Sequence, residues 1–335
     1  MESRAIGHRT WGGGAAIRRL AALLQALLML LMSAAMPVRA ADVAAPAQTV
    51  AEAGVTVTDD RGRPQHFDQA PMRIVSLLPS LTESVCALGA CGRLVAVDRY
   101  SEYPPEVRQL PQAGGGLDPS IESVVAQRPD VVLISAASRA TERLEALGLR
   151  TVVLEPKTHA DVERVLQLLE ALLQVPAHEG RHGAEAAPTA AGLWRRINDG
   201  VDAAAASLPP AAAQWRVYLE VSRGPYAAGP DSFIGQTLQR LGVQNVVPAE
   251  LGPFPRLSPE YVLRADPDVI LISNRSMQAD YTYPGWHNMR AIRAQRLCLF
   301  DAEDSNVLVR PGPRMDLAAR LMADCIRSKM QDRDE

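Results

Sequence analysis

Lysine is nearly missing from this chain: Lys157 and Lys329 are its two lysines in 335 residues. Arginine carries the rest of the positive charge, and acidic residues outnumber basic ones by 38 to 35. Beyond residue 40 there is no basic run, which excludes the electrostatic footprint of a nucleic-acid or anionic-lipid binder. Histidine is sparse there too, with His66, His159, His178, His182 and His287 alone. His178 and His182 are four apart, but "HEGRHG" interposes a glycine where a helix would have to hold both on one face. A bare metal ion needs three or four converging ligands, so no metal site is expected. Also absent are a G-x-S-x-G elbow, an H-E-x-x-H pair, a Walker lysine and a G-x-G-x-x-G turn after a strand. "AGGGLD" is glycine-rich but lacks the strand–turn register of a phosphate cradle. The rival class, an exported α/β hydrolase, therefore has no residues to name, and the chain is read as a non-enzyme.

What is present begins with a leader. Arg4, Arg9, Arg18 and Arg19 precede the apolar "LAALLQALLMLLMSAAM", and "VRA" ending at Ala40 places small residues at a cleavage site. Residues 1–40 are read as a cleaved signal peptide for export to the periplasm, with Arg18-Arg19 leaving the twin-arginine route open. The apolar run is short for a membrane span, and no later run is long enough. Removing the leader takes away five Arg and one Glu, so the net charge moves from −3 to about −7. The remaining ~295 residues exceed the size at which one core usually divides, so two lobes are expected. Cys86, Cys91, Cys298 and Cys325 can pair in three ways; Cys86–Cys91 is local and Cys298–Cys325 would staple the C-terminus.

"VTV" and "HF" around "DDRGRP" predict a hairpin within an N-terminal segment, 41–71. "RIVSL", "RLVAVD", "DVVLIS" and "RTVVLE" read as strands alternating with helices, the first helix capped by Ser80 with Glu83 three residues on. This gives an α/β lobe over 72–176 with a parallel sheet. Residues 177–209 lose the strand pattern and read as one long connecting helix. The alternation resumes over 210–329, and 330–335 is a tail. The fold class is α/β, two lobes with mainly parallel sheets joined by one backbone helix.

One phrase occurs twice. "SIESVVAQRPDVVLIS" from Ser120 and "SPEYVLRADPDVILIS" from Ser258 agree without a gap at Ser, Glu, Val, Pro-Asp-Val and Leu-Ile-Ser. In each, serine caps a helix and Glu122 or Glu260 falls in its first turn, where the dipole favours a carboxylate. Capping explains both glutamates without function. A pair of matched docking charges, one per lobe, explains them with it.

"RIVSLLPSLTESVCALG", "VAVDRYSEYPPEV", the doubled phrase and the intervening helix resemble the iron-complex and cobalamin-binding class of ABC-importer substrate-binding proteins, from about Val55 to Ile326. The resemblance implies a class III periplasmic binding protein that is monomeric and has a rigid backbone helix. It implies a metal-chelate ligand between the lobes, cobalamin-like or a ferric siderophore or haem. It also implies delivery to a dimeric permease with its ATPase subunits through Glu122 and Glu260. No resident cofactor is called for; any cobalt or iron arrives inside the ligand.

Ligand contacts are expected on loops at the strand C-termini. The first-lobe candidates are Pro79, Ser80, Tyr100, Tyr103, Gly115 and Gly116. Across the cleft are Tyr226, Ser232, Phe233, Phe254, Arg275, Trp286 and Arg310. Tyr100, Tyr226 and Phe254 match where the family places aromatics. The chain departs from the cobalamin-binding members in carrying "GGGLD" and "SAASRA" where aromatic loops are usual. Arg275 and Arg310 would answer ligand carboxylates or catecholates.

Overall fold

Two parallel sheets of the same strand plan organise the computed structural model, which describes residues 54–175, 188–273 and 283–331. The leader and Arg275 lie outside the described residues. Strands β1 (Val55–Thr58) and β2 (Pro64–Phe67) form the expected hairpin. Its turn is tied by the Asp59 carboxylate, which accepts from the backbone N–H of Arg61 and Arg63 at 3.0 Å each.

The first sheet contains β3 (Ile74–Ser76), β4 (Leu94–Val97), β5 (Val131–Ile134) and β6 (Thr151–Val153), in the order β4-β3-β5-β6. The second contains β7 (Arg216–Ser222), β9 (Gln244–Asn245), β10 (Val269–Ser273) and β11 (Leu297–Phe300), in the same relative order β9-β7-β10-β11. A short β8 (Tyr226–Ala227) returns antiparallel on β7. In both sheets the first strand lies between the second and the third, which creates a switch point at its C-terminal end.

The repeated phrase supplies the third strand of each lobe and the helix before it. These helices are α2 (Ile121–Ala126) and α7 (Pro259–Ala265). Ser120 and Ser258 cap them, each hydroxyl accepting from the backbone N–H three residues on at 3.1 Å. The helices are left through Arg128 and Asp266, both with positive φ. Asp130 then accepts from the N–H of Arg73 at 2.8 Å, and Asp268 from that of Arg216 at 3.0 Å. Each Pro-Asp thus fastens its strand to the start of the lobe's first strand.

Both faces of these strands are covered, so they read as unbroken apolar runs. Val131, Leu133, Val269 and Leu271 enter one core cluster that extends through both lobes. Val132 and Ile134 face a separate outer cluster in the first lobe, and Ile270 and Ile272 one in the second. The shared cluster is centred on α5 (Ala190–Ala206), which buries Leu193, Ile197 and Val201. This is the described part of the connecting segment; residues 176–187 of it lie outside the described residues. The last helix, α10 (Met315–Gln331), lies so close to α5 that a Cβ on Gly200 would come within 2.5 Å of Asp316 Cβ. Other helices in the lobes are α3 (Thr141–Ala146), α4 (His159–Leu173), α6 (Phe233–Arg240), α8 (Arg290–Arg293) and α9 (Ala302–Leu308).

One helix start differs from expectation. Helix α1 (Pro79–Ala87) begins after Leu78 with no side-chain cap, and Ser80 is its second residue rather than its cap. Proline at the first helical position has a preset φ and no N–H to satisfy, so it can open the helix. Glu83 is consequently buried at 3% exposure instead of facing solvent in a capping box. The cysteines pair as Cys86–Cys91, across the turn that ends α1, and Cys298–Cys325, tying β11 to α10.

Candidate ligand cleft

The cleft lies at the switch point of the first sheet and is closed on its far side by α9 and the turn after it. Its volume is about 750 Å³, within the range of small-molecule sites. Pro79 and Ser80 line it where β3 passes into α1, and Asp98, Tyr100 and Glu102 where β4 ends. Gly115, Gly116, Leu117 and Asp118 form the next wall. A Cβ on Gly116 would come within 2.6 Å of the Leu77 carbonyl, so this loop lies flat on the end of β3. Asn306, Val309, Arg310 and Pro311 complete the cleft from the second lobe. Tyr100 and Leu117 are its large exposed apolar groups, at 51% and 59%.

Of the sequence candidates, Pro79, Ser80, Tyr100, Gly115, Gly116 and Arg310 therefore lie together. Arg310 is nevertheless not a free cation. It is 5% exposed and donates to Glu83 Oε1 at 2.9 Å, to the Tyr100 carbonyl at 2.8 Å and to Glu102 Oε1 at 3.2 Å. Arg314 also reaches Glu83, with Nε 2.8 Å from Oε2, and stacks over the Tyr103 ring at 4.1 Å. Arg310 thus serves a buried ionic clamp between the lobes, and Tyr103 is a seat for Arg314 outside the cleft lining.

Other candidates go elsewhere. Trp286 is fully buried, its Nε1 donating to the Pro259 carbonyl at 3.1 Å and its ring packed between Tyr218 and Tyr283, so it is core. Ser232 is buried and caps α6, accepting from Gly235 N–H at 2.9 Å. Phe233 is 4% exposed and belongs to the seam between the lobes, where its N–H donates to the Lys157 carbonyl at 2.7 Å. Tyr226 and Phe254 stay exposed on two adjoining second-lobe segments, outside the residues that line the cavity.

Sequence reasoning passed over Asp98, Glu102, Leu117, Asp118 and Asn306. In "DRYSEYPP" the sequence reading names the tyrosines and not the acids beside them. Asp98 is in fact fully buried; burial raises its carboxyl above the ordinary range, against the lowering effect of Ser101 and the Tyr100 N–H. Asn306 lies in α9 and Arg310 just past its end, and no local signal in the sequence marks the asparagine.

Two further titratable groups lie outside the cleft lining. At the lobe seam His159 Nε2 lies 3.0 Å from the Phe233 carbonyl and 2.9 Å from Thr237 Oγ1, and burial lowers its pKa to about 4. In the second lobe Glu220 accepts from Tyr283 at 2.9 Å and Tyr218 at 3.2 Å, and burial pushes its pKa up to about 7. His159 contributes stability that is full above the unfolded pKa of 6.5 and lost as pH falls through about 4. Glu220 contributes stability that is full below 4.5 and lost as pH rises through about 7. The two oppose each other across mildly acidic pH. Glu220→Gln is expected to steepen the rise of stability with pH there, by up to about 1.4 kcal/mol per pH unit, and His159→Gln to tilt it downward. Urea denaturation at several acidic pH values checks this; parallel profiles for the parent and both variants would contradict it.

Two lobes of one plan, closing a cleft at a strand switch point and clamped across its floor, define a two-lobed binding protein. Residues 74–303 match the family model described as periplasmic binding protein, and the chain belongs to that family. It is 29% identical over 254 residues to the vitamin B12-binding protein of Photorhabdus laumondii, covering 75% of this chain and 86% of that one. A periplasmic haem-binding protein from Pseudomonas aeruginosa superposes with a TM-score of 0.62 at 27% identity, over 77% of this chain and 93% of that one. The periplasmic vitamin B12 binding protein of Vibrio cholerae superposes at 0.61 with 22% identity, over 78% and 99%, and shares the fold. Among the described residues no helix is long and apolar enough to cross a membrane, and no cluster of His, Cys, Asp or Glu is placed to hold a metal ion.

Proposed function

We propose that the protein is the periplasmic capture component of an ABC importer, that its ligand is a corrinoid, and that it works by binding alone. The observation that carries the ligand is the charge of the cleft. Glu102 and Asp118 present carboxylates to it, and Arg310, the basic side chain among its described lining residues, is committed to Glu83 and Glu102. Haem propionates and catecholate siderophores are anionic and need unsatisfied cations. A corrinoid instead presents a rim of neutral carboxamides, whose N–H groups suit carboxylate acceptors, around an apolar face that suits Tyr100, Leu117 and Val309. The identity to a vitamin B12-binding protein supports the same choice.

Docking to a dimeric permease with its ATPases is assigned to Glu122 and Glu260. Both are exposed, and Val124 and Val262, two residues on, are fully buried in the outer cores. At 100° per residue, a position two before a buried one faces outward, so each lobe presents its glutamate on the same face of the same helix.

Tryptophan-fluorescence titration of the mature protein with cyanocobalamin, cobinamide, haem and ferric siderophores tests the reading, with inner-filter controls. Saturable submicromolar binding of a corrinoid is expected. Silence with corrinoids and saturation by an iron complex would replace the corrinoid by that ligand.

A further inference from the structure

We propose that Glu102 is the specificity-determining acceptor of the cleft, selecting ligands by the hydrogen-bond donors on their rim and held in position by the opposite lobe. The inference rests on the corrinoid reading and names the residue that enforces it. Glu102 lies on the loop after β4, lines the cleft, and leaves 43% of its side chain exposed. Its Oε1 receives both Asn306 Nδ2 and Arg310 Nη2, residues of the second lobe. Its Oε2 has no partner among the described residues, so one oxygen is clamped and the other keeps its accepting capacity. A free glutamate loses rotamer entropy when a ligand orders it; here the opposite lobe has already imposed the order, so less is lost on binding.

The charges around it decide the sign of the selectivity. Glu83 and Glu102 are matched by Arg310 and Arg314, so the clamp sums to zero and holds no surplus cation for an incoming anion. A carboxamide N–H placed at Oε2 gains a charge-assisted bond, whereas a carboxylate in the same place meets a like charge. Asn306 turns its Nδ2 to Glu102 and keeps its Oδ1 closed off from the cleft, so it holds Glu102 without competing for the donors of a ligand.

The test compares cyanocobalamin with its peripheral monocarboxylic acids, in which single amides are hydrolysed. Wild-type protein is expected to bind at least one of these acids about tenfold or more weaker than cyanocobalamin, the loss of a charge-assisted bond. Glu102→Gln keeps the size of the side chain and removes its charge, and is expected to bring that acid to within about threefold of cyanocobalamin. Asn306→Ala, which removes one of the two donors that hold Oε1 and loosens Glu102, should compress the same ratio and serves if the first variant fails to fold. An unchanged ratio in both variants, with cyanocobalamin still bound tightly by the wild type, would overturn the role of Glu102 and leave the corrinoid reading standing. Preference of the wild type for haem or a ferric catecholate would overturn both.

Discussion

A protein carrying Glu122→Ala together with Glu260→Ala is expected to bind its ligand as tightly as the parent and to deliver almost none of it. Both carboxylates stand on outer helices, and neither lines the cleft. Their own lobes gain little from them: a first-turn glutamate is worth about 0.3–1 kcal/mol to its helix. The fold should therefore survive with a small loss of stability. A charged hydrogen bond to a permease arginine is worth about 1.5–3 kcal/mol, so each single substitution should cut uptake by about 10- to 100-fold and the pair should compound the loss. Uptake by reconstituted importer, measured beside a titration of the isolated protein, separates the two quantities. Equal loss of binding and uptake would remove the docking assignment, and so would normal uptake by the double variant.

The largest effect on stability is expected at Glu83. Its side chain is 2% exposed and is the shared partner of Arg310 and Arg314, which are 6% and 14% exposed. Glu83→Ala strips Arg314 of the carboxylate it pairs with and leaves Arg310 with Glu102 alone. Breaking a buried ion pair from one side costs about 3–5 kcal/mol, because the surviving charge keeps its desolvation penalty. At this chain length that corresponds to a fall in Tm of about 10 °C. The same reasoning predicts rescue. Glu83→Met with Arg310→Met and Arg314→Met should recover much of the loss, since apolar replacement of a whole buried cluster is often neutral or better. Thermal unfolding of the two proteins decides the matter; a melt unchanged in Glu83→Ala would show that the cluster carries no stability.

The doubled phrase made the two-lobed plan readable because its Ser, Glu, Pro and Asp each have a local structural task. Ser120 and Ser258 cap, and Asp130 and Asp268 fasten strands, wherever the rest of the chain goes. The cleft was less legible because its residues depend on distant partners. Arg310 looked like a ligand-facing cation until the fold brought Glu83 within 2.9 Å from 227 positions away. Trp286 looked like a loop aromatic until Tyr218 and Tyr283 enclosed it. Glu102 was passed over because nothing near it in sequence shows that a second-lobe asparagine fixes it.

The core cluster that runs unbroken from β5 through α5 to β10 has a consequence for how occupancy is signalled. With one packed interior and an ionic clamp across it, the receptive geometry is expected to be the resting geometry, and intrinsic affinity then suffers no dilution by a rare competent state. A transporter gripping the outer helices as proposed would read little of the loading from how far apart they stand.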